Sequence, residues 1–167
     1  MALLPILEYP DPRLKKVASP VTAFTPDVAK LVRDMAETMY AAPGVGLAAT
    51  QVDVHKRVIV IDASDARDSL LVLINPELVN ASGEIECEEG CLSVPGYYDK
   101  VVRAARVTVR ASNERGEPFE RTVEDMLAVC VQHEMDHLVG RMFVDYLSPL
   151  KRARLKAKQR KKQRLAG

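Results

Sequence analysis

The sequence predicts an α+β fold in which antiparallel β-sheets pack around a central helix, with an N-terminal helix and a basic C-terminal helix. Short runs rich in β-branched residues indicate strands, and longer segments with helical spacing indicate helices. These two kinds of segment do not alternate as the βαβ units of a parallel sheet would. The 167 residues, 47% hydrophobic and 28% charged, are typical of one globular domain.

The first helix is predicted to begin at Thr25-Pro26 and to end near Tyr40. Threonine is a favoured N-cap and proline a favoured first helical residue, whereas Pro43 and Gly44 terminate a helix. One face of this segment is apolar and is expected to face the core. It consists of Val28, Leu31, Val32, Met35 and Met39.

Two apolar runs, residues 57–62 and 70–74, predict strands. Asn75-Pro76 after the second run predicts a turn. Residues 101–112 and 117–123 alternate well enough to predict a hairpin joined through residues 113–116.

A helix is predicted from residue 123 to about residue 139. Thr122 and Asp125 resemble a capping box, and Gly140 suits the position just after the helix. This helix contains the pattern H-E-x-x-H, formed by His133, Glu134 and His137.

The H-E-x-x-H pattern points to a metal site. Residues four apart lie on one helical face, so both imidazoles can reach one ion. The adjacent Glu134 can then take a proton from metal-bound water. Two histidines are too few for a catalytic site, which needs a third protein ligand and one open position.

The residues after His137 exclude two classes of metallopeptidase. A metzincin would place a third histidine at position 143, which is Phe143. A thermolysin-like enzyme needs a glutamate ligand on a second helix. The only acid after His137 is Asp145, which precedes any second helix.

Four residues remain as candidates for the third ligand: His55, Cys87, Cys91 and Cys130. Cys130 lies about 10 Å of helix rise from His137, so it is predicted to be a small core residue. His55 lies in a polar segment and is predicted to be an exposed turn residue.

Cys87 and Cys91 remain, and the local sequence favours Cys91. Gly90 precedes Cys91 and Pro95-Gly96 follows it. Such a segment is expected to be irregular and to let the backbone approach a site closely.

Three segments together resemble the motifs of the peptide deformylase family. They are residues 44–51 (GVGLAATQ), 89–93 (EGCLS) and 132–138 (QHEMDHL), in the order in which the family has them. Residues 7–12 and 141–150 are similar as well, so the resemblance covers residues 1–150.

The resemblance implies a metal-dependent hydrolase that removes the formyl group from N-formylmethionine of newly synthesised polypeptides, releasing formate in the bacterial cytoplasm. It implies one divalent ion, typically Fe²⁺ in the cell, with Zn²⁺, Ni²⁺ or Co²⁺ able to occupy the site. The implied ligands are Cys91, His133 and His137.

The resemblance also implies the catalytic roles. Metal-bound water would attack the formyl carbonyl with Glu134 as general base and then general acid. The side-chain amide of Gln51 and the backbone N–H of Leu92 would stabilise the oxyanion.

Substrate-binding residues are expected around this site. Gly44 and Gly46 would leave backbone groups uncovered, so that an extended peptide could pair with them. An apolar pocket for the methionine side chain is expected from Val45, Met126, Val129 and Cys130. Glu89 and Gly90 are expected at the same site, and Glu89 is expected to pair with Arg103.

The C-terminal segment is strongly basic. Residues 151–167 contain nine Lys or Arg and no acid, which leaves 24 − 9 = 15 basic and 23 acidic residues in 1–150. We therefore divide the chain into a catalytic domain (1–150) and a helical extension (151–167). Ser148-Pro149 would begin this helix, with an apolar stripe of Leu150, Ala153 and Ala157.

The family resemblance implies that this extension docks on the ribosome, where its cations would contact RNA phosphates. The alternative is a solvated helix. No apolar run approaches 18 residues and the N-terminus lacks a basic region, so we expect a cytoplasmic protein without a membrane partner.

Overall fold

Two antiparallel sheets and three α-helices form the fold in the computed structural model, which describes residues 3–166. The helices are α1 (Pro26–Ala41), α2 (Asp125–Leu138) and α3 (Pro149–Ala166). The strands are β1 (Gly46–Ala48), β2 (Val58–Ile61), β3 (Leu71–Ser82), β4 (Ile85–Cys91), β5 (Val94–Arg103), β6 (Arg106–Ser112) and β7 (Pro118–Glu124). One sheet has the order β1-β2-β3-β6-β7, and β4 pairs with β5 in the other. The predicted α+β class is confirmed.

Helix α1 confirms the predicted N-terminal helix. It begins at Pro26 after Thr25, although the Thr25 side chain makes no capping hydrogen bond. Its apolar face packs against β1 and β2. Four of the five residues predicted for that face are buried, and Leu31 is partly buried against the same cluster.

The turn predicted at Asn75-Pro76 is wrong, because β3 continues through it to Ser82. The strand is irregular at this point. The pairing of β3 with β6 shifts register between Ile74 and Glu77, and Asn75 has a φ of 53°. The Asn75 side chain accepts from the N–H of Val21 at 2.8 Å and donates to its carbonyl at 2.9 Å. These long-range bonds hold the bend within the strand.

The hairpin predicted for residues 101–123 is correct only in its second part. Strands β6 and β7 form it, with Gly116 at a φ of 82° in the turn. Residues 101–103 belong instead to β5 and the smaller sheet. Between the two sheets, Gln132 accepts from the N–H of Ala104 at 3.0 Å and donates to its carbonyl at 2.9 Å.

Helix α2 begins at Asp125, directly after β7, and contacts β1, β2, β6 and β7. The predicted capping box is wrong, because Thr122 lies within β7 and Glu124 is the N-cap residue. The prediction for Gly140 is confirmed: its φ is 77°, and a Cβ there would also collide with the carbonyl of Lys15. Only glycine meets both conditions without strain.

Helix α3 begins at Pro149 as predicted, but its predicted apolar stripe is wrong. Leu150, Ala153 and Ala157 are exposed, and the buried residues are Leu155 and Gln159. Leu155 joins the core cluster that contains Phe143. The helix therefore packs on the body through the face that carries Leu155 and Gln159. Seven of its nine cations are exposed, whereas Arg152 and Lys156 are partly buried.

No helix within residues 3–166 is long and apolar enough to cross a membrane.

Candidate metal centre and active-site cleft

Helix α2 and the end of β4 bring together three side chains that could hold a metal ion. Successive turns of α2 carry His133 and His137, and the last residue of β4 is Cys91. The ligand atoms of all three residues lie within 4.8 Å of one another, and Cys91 Sγ is 3.4 Å from His137 Nε2. Both histidines are buried and the cysteine is half-buried.

The three donors suit one tetrahedral ion. Metal–sulfur and metal–nitrogen bonds of about 2.0–2.3 Å at tetrahedral angles separate the ligand atoms by roughly 3.3–3.8 Å. The 3.4 Å between Cys91 Sγ and His137 Nε2 falls in that range. A thiolate with two imidazoles is a donor set for borderline divalent ions such as Zn²⁺ and Fe²⁺. The residues therefore fit a divalent transition metal with an open coordination position.

The three other candidate ligands lie outside this cluster, which is the one such group within the described residues. His55 is half-buried, not fully exposed as predicted, and its Nε2 lies 3.0 Å from Asp53 Oδ1. Cys87 is half-buried on β4. Cys130 is buried in the core, and burial raises the pKa of its thiol to about 12. The segment of Cys91 is irregular where this was expected: β4 pairs regularly with β5 as far as Gly90, and the register shifts between Gly90 and Cys91.

A buried ion pair orients His133. Arg103 donates from Nε and Nη2 to the two oxygens of Glu89 at 2.7 and 2.9 Å, which confirms the predicted pairing. The same carboxylate lies 2.8 Å from His133 Nδ1. This contact holds a proton on Nδ1, so Nε2 is the ring atom directed at the cluster. Although burial opposes it, hydrogen bonds to Cys91 and Glu89 raise the pKa of His133 well above its usual value, whereas burial lowers that of His137.

Asp136 and Tyr146 complete the surroundings of Arg103, and the sequence did not single them out. Arg103 Nη1 donates to Asp136 Oδ2 at 2.7 Å, and the Tyr146 hydroxyl donates to the same oxygen at 2.9 Å. The guanidinium also lies over the Tyr146 ring, 5.2 Å from its centroid. One buried cation thus joins α2 to β4. The charge of Asp136 inside the helix motif is the sequence signal that could have indicated this pairing.

Glu134 faces the cleft without a partner for one of its oxygens. Its side chain is buried, and within the described residues Oε1 has no hydrogen-bond partner. Burial raises the pKa of Glu134 to about 7. A Cβ at Gly46 would collide with the Glu134 carboxylate, so a larger residue at that position of β1 would displace it. The carboxyl group can therefore exchange protons near neutral pH.

Gln51 lies behind the cluster in a fixed orientation. Its Oε1 accepts from the Ala48 N–H at 2.9 Å, which turns Nε2 toward the site. Nε2 donates to Ser93 Oγ at 3.0 Å and lies 3.5 Å from Cys91 Sγ. Leu92 occupies the turn between β4 and β5. Two N–H groups, from Gln51 and Ser93, therefore approach the Cys91 sulfur, at 3.5 and 3.4 Å.

A cleft of about 830 Å³ lies in front of the cluster. All eight predicted substrate-binding residues line it, as do Cys91, Leu92, His133 and Glu134, whereas Gln51 and His137 lie behind its wall. The sequence did not predict the lining by Leu3, Leu4, Ile6 and Tyr98, whereas Pro95 and Gly96, which also line the cleft, lie in the segment that was expected to approach a site closely. No local pattern marks the first three residues, because the N-terminal segment reaches the cleft only through the tertiary fold.

One expectation about the cleft is wrong. Gly44 does not leave its backbone groups uncovered: its N–H donates to Met39 O at 2.8 Å, and its carbonyl accepts from Arg67. A Cβ at Gly44 would also collide with the Leu92 side chain, so a larger residue there would displace that side chain.

The pH dependence of the free energy of unfolding should reveal the contribution of Glu89 to stability. Although burial opposes it, the contacts with Arg103 and His133 lower the pKa of Glu89 from 4.5 to about 2. Its contribution to stability is therefore present above pH 4.5 and is lost as the pH falls toward 2. Urea unfolding of the metal-free protein should show this loss of stability, of roughly 3 kcal/mol. In Glu89→Gln the free energy of unfolding should depend less on pH over the same range.

Glu117→Gln is the matched control for Glu89→Gln. Glu117 also has a lowered pKa, through Asn113 and Arg115, but it is exposed. Solvent screens such a pair, so this variant should keep the pH dependence of the parent protein. A Glu89→Gln protein with an unchanged slope between pH 4.5 and 2 would contradict the prediction.

Comparison with known proteins agrees with this geometry. The profile of the family described as polypeptide deformylase matches residues 3–153. Peptide deformylase 2 of Nitrosomonas europaea is 60% identical over 164 residues, covering 98% of this chain and 89% of the relative. Peptide deformylase 1 of Ralstonia nicotianae is 64% identical over 164 residues, covering 98% and 97%.

Solved structures give the same result. A peptide deformylase from Legionella pneumophila superimposes with a TM-score of 0.93 at 52% identity, covering 98% of this chain and 97% of the other. A peptide deformylase from Ehrlichia chaffeensis in complex with actinonin gives a TM-score of 0.95 at 40% identity, covering 98% and 99%. With a family profile over most of its length and relatives this similar, the chain belongs to the polypeptide deformylase family.

Proposed function

We propose that this chain hydrolyses the formamide bond of N-formylmethionyl nascent peptides in the bacterial cytoplasm, releasing formate and a free amino terminus. The observation that carries the proposal is the site itself. In a chain of the deformylase family, three clustered donors lie beside a cleft whose wall includes Glu134, and Glu134 Oε1 has no hydrogen-bond partner among residues 3–166.

Cys91, His133 and His137 would hold one divalent ion, Fe²⁺ in the cell, with Zn²⁺, Ni²⁺ or Co²⁺ as alternatives. When bound, the ion supplies Lewis acidity, which lowers the pKa of water and polarises the formyl carbonyl. Three ligands from the protein leave room for this chemistry. The ion pair of Glu89 with Arg103 keeps His133 oriented for its role.

Glu134 would move the proton. Its carboxylate takes a proton from the attacking water, whose oxygen forms a bond with the formyl carbon. The carbon–nitrogen bond then breaks, and Glu134 gives the proton to the departing amine. A pKa of about 7 makes both transfers feasible at neutral pH.

The negative charge that develops on the formyl oxygen needs fixed donors. Gln51 Nε2 is held toward the site by the Ala48 N–H, and the Leu92 N–H would be the second donor. Gln51 Nε2 also contacts Cys91 Sγ at 3.5 Å, and because cysteine sulfur is a weak acceptor, the oxyanion can replace this contact at little cost. Loss of one such donor lowers kcat by roughly 10²–10³-fold in other hydrolases.

The cleft would bind the methionine side chain and the peptide that follows it. Val129 and Cys130 are buried at its inner wall, whereas Val45 and Met126 are about half exposed at its mouth. Strand β1 is the edge of the five-stranded sheet, and Gly46 on this edge has no side chain to obstruct a peptide. An extended substrate could add to that edge as a further strand.

A formate assay tests the proposed activity. Protein loaded anaerobically with Fe²⁺, and in parallel with Ni²⁺, would be given formyl-Met-Ala-Ser and the unformylated Met-Ala-Ser. We expect formate only from the first peptide, with no cleavage of the Met–Ala bond in either. Peptide-bond cleavage without formate would instead indicate a peptidase and reject deformylation.

The basic helix α3 would contact ribosomal RNA. Seven of its Lys and Arg side chains are exposed: Lys151, Arg154, Lys158, Arg160, Lys161, Lys162 and Arg164. Such an array favours a phosphate backbone and gives binding that weakens with salt. Truncation after Leu150 is a poor test, because it would remove Leu155 from the core.

Substitution of surface cations tests ribosome contact without that loss. Replacing Arg154, Lys158 and Lys161 by glutamine should reduce ribosome co-sedimentation and lower the slope of log affinity against log salt by about 2. Hydrolysis of short peptides should not change. The matched control replaces Arg106, Arg110 and Arg121, three exposed cations of the β6–β7 hairpin. Equal sedimentation of both triple variants would reject docking through α3.

A further inference from the structure

The loop between β2 and β3, residues 62–70, is organised around Asp62. The Asp62 carboxylate accepts from the Ser64 N–H at 3.0 Å, the Ser69 N–H at 3.1 Å and the Tyr40 hydroxyl at 2.6 Å. The side chain is fully buried. These hydrogen bonds close the loop on itself and attach it to α1, so its conformation is fixed despite its exposed surface.

Arg67 extends from this loop to the wall of the cleft. Its Nη1 donates to the carbonyl of Asp62 at 2.9 Å, and its Nη2 donates to the carbonyl of Gly44. Its guanidinium lies over the ring of Tyr40, 5.0 Å from the centroid. Two donors and a stacked face leave this side chain little freedom, as suits a planar guanidinium.

Gly44 and Val45 form the part of the cleft wall that leads into the edge strand β1. Three backbone groups of this segment are tethered: the Gly44 N–H to Met39 O at 2.8 Å, the Gly44 carbonyl to Arg67, and the Val45 carbonyl to the Asp62 N–H at 2.8 Å. Arg67 is the side chain that makes one of these tethers, so it can be removed without changing the backbone.

We propose that Arg67 is a positioning residue for peptide binding, which holds the Gly44 carbonyl and thereby sets the edge along which the substrate backbone lies. The inference rests on the proposed deformylation and deepens it. Arg67 does not line the cleft, so it acts through the segment of Gly44 and Val45. Of the four residues proposed for the methionine pocket only Val45 belongs to this segment, so peptide residues beyond the methionine depend most on this edge.

Steady-state kinetics test the proposal. Arg67→Gln should raise KM for formyl-Met-Ala-Ser about tenfold, as the loss of one charge-assisted hydrogen bond would. Its kcat should stay within about twofold, because Glu134 and the ligands are unmoved. The KM for formyl-methioninamide, which has no residues after the methionine, should change by less than about threefold. Arg67→Lys keeps the charge and a donor group, so its KM for formyl-Met-Ala-Ser should lie between those of the parent protein and Arg67→Gln.

Amide hydrogen exchange gives a second readout that needs neither metal nor turnover. In metal-free Arg67→Gln, the amides of Gly44 and Asp62 should exchange at least about tenfold faster. The amide of Val60, inside the sheet, should not change. Arg121→Gln, which removes an exposed cation from β7, is the control for lost charge and should match the parent protein.

An unchanged KM for the tripeptide, an equal change for both substrates, or unchanged exchange at Gly44 and Asp62 would each overturn the proposal. A parent protein that released no formate would overturn the proposed function instead. The exchange experiment would still decide whether Arg67 holds the cleft wall.

Discussion

Replacing Glu134 with alanine is expected to lower kcat for formyl-Met-Ala-Ser by about 10³–10⁴-fold. A positioned general acid–base contributes about 10²–10⁴-fold, and this carboxylate is assigned both proton transfers. Bound metal should remain near one equivalent per chain, because no ligand is altered. Formate release and metal analysis on the same sample measure the two effects.

Two further variants make the Glu134 result specific. Glu134→Asp shortens the side chain and should recover part of the activity. Glu88→Gln removes an exposed carboxylate from the same cleft and should keep kcat within about twofold. A Glu134→Ala protein that retains metal and more than about a tenth of the parent kcat would reject the proton-transfer role.

The parts of the site that the sequence predicted are those set by local geometry. His133 and His137 share a face because they lie four residues apart in a helix. The start of α1 and the φ of Gly140 likewise depend on neighbouring residues, and the structure agrees there. Cys91 was favoured because its segment was expected to be irregular, and the register shift between Gly90 and Cys91 agrees with that expectation. Its meeting with α2 depends on the pairing of β4 with β5.

The parts that the sequence did not predict depend on contacts between distant residues. Residues 101–103 alternate like a strand of either sheet, and only their pairing with β4 assigns them to the smaller one. Asn75-Pro76 has the composition of a turn, but hydrogen bonds with Val21, 54 residues away, keep it in a strand. The contact of Arg67 with Gly44 has no periodic signature, because it requires the loop around Asp62 to be folded.

The buried face of helix α3 is another feature that the sequence did not predict. Helical spacing alone allows several faces, and alanines at positions 153 and 157 made one of them resemble a core face. The structure buries Leu155 and Gln159 instead, and Gln159 Nε2 donates to the Pro95 carbonyl at 3.5 Å. Burial is decided by what the helix packs against, which for this helix is the cluster around Phe143.

Replacing Cys91 with alanine is expected to abolish stoichiometric metal binding and, with it, more than about 99% of formate release. Loss of a partner that only orients a ligand costs about 10–100-fold in affinity, and loss of a ligand itself should cost more. The fold should persist, because Cys91 is half-buried and leaves no closed cavity. Metal analysis after dialysis and a urea unfolding curve measure these two outcomes separately.

Cys87→Ala and Cys130→Ala are the matched controls, since they test the two other cysteines that the sequence allowed as third ligands. Both should keep one equivalent of metal. Cys87→Ala should also keep full activity. Cys130→Ala removes a side-chain atom from the inner wall and so widens the cleft, which should raise KM for the formylated peptide. Full metal content in Cys91→Ala, or its loss in Cys87→Ala, would show that the third ligand is not Cys91. The geometry argues against that result, because only Cys91 Sγ lies within 4.8 Å of both histidine ligand atoms among the cysteines of the described chain.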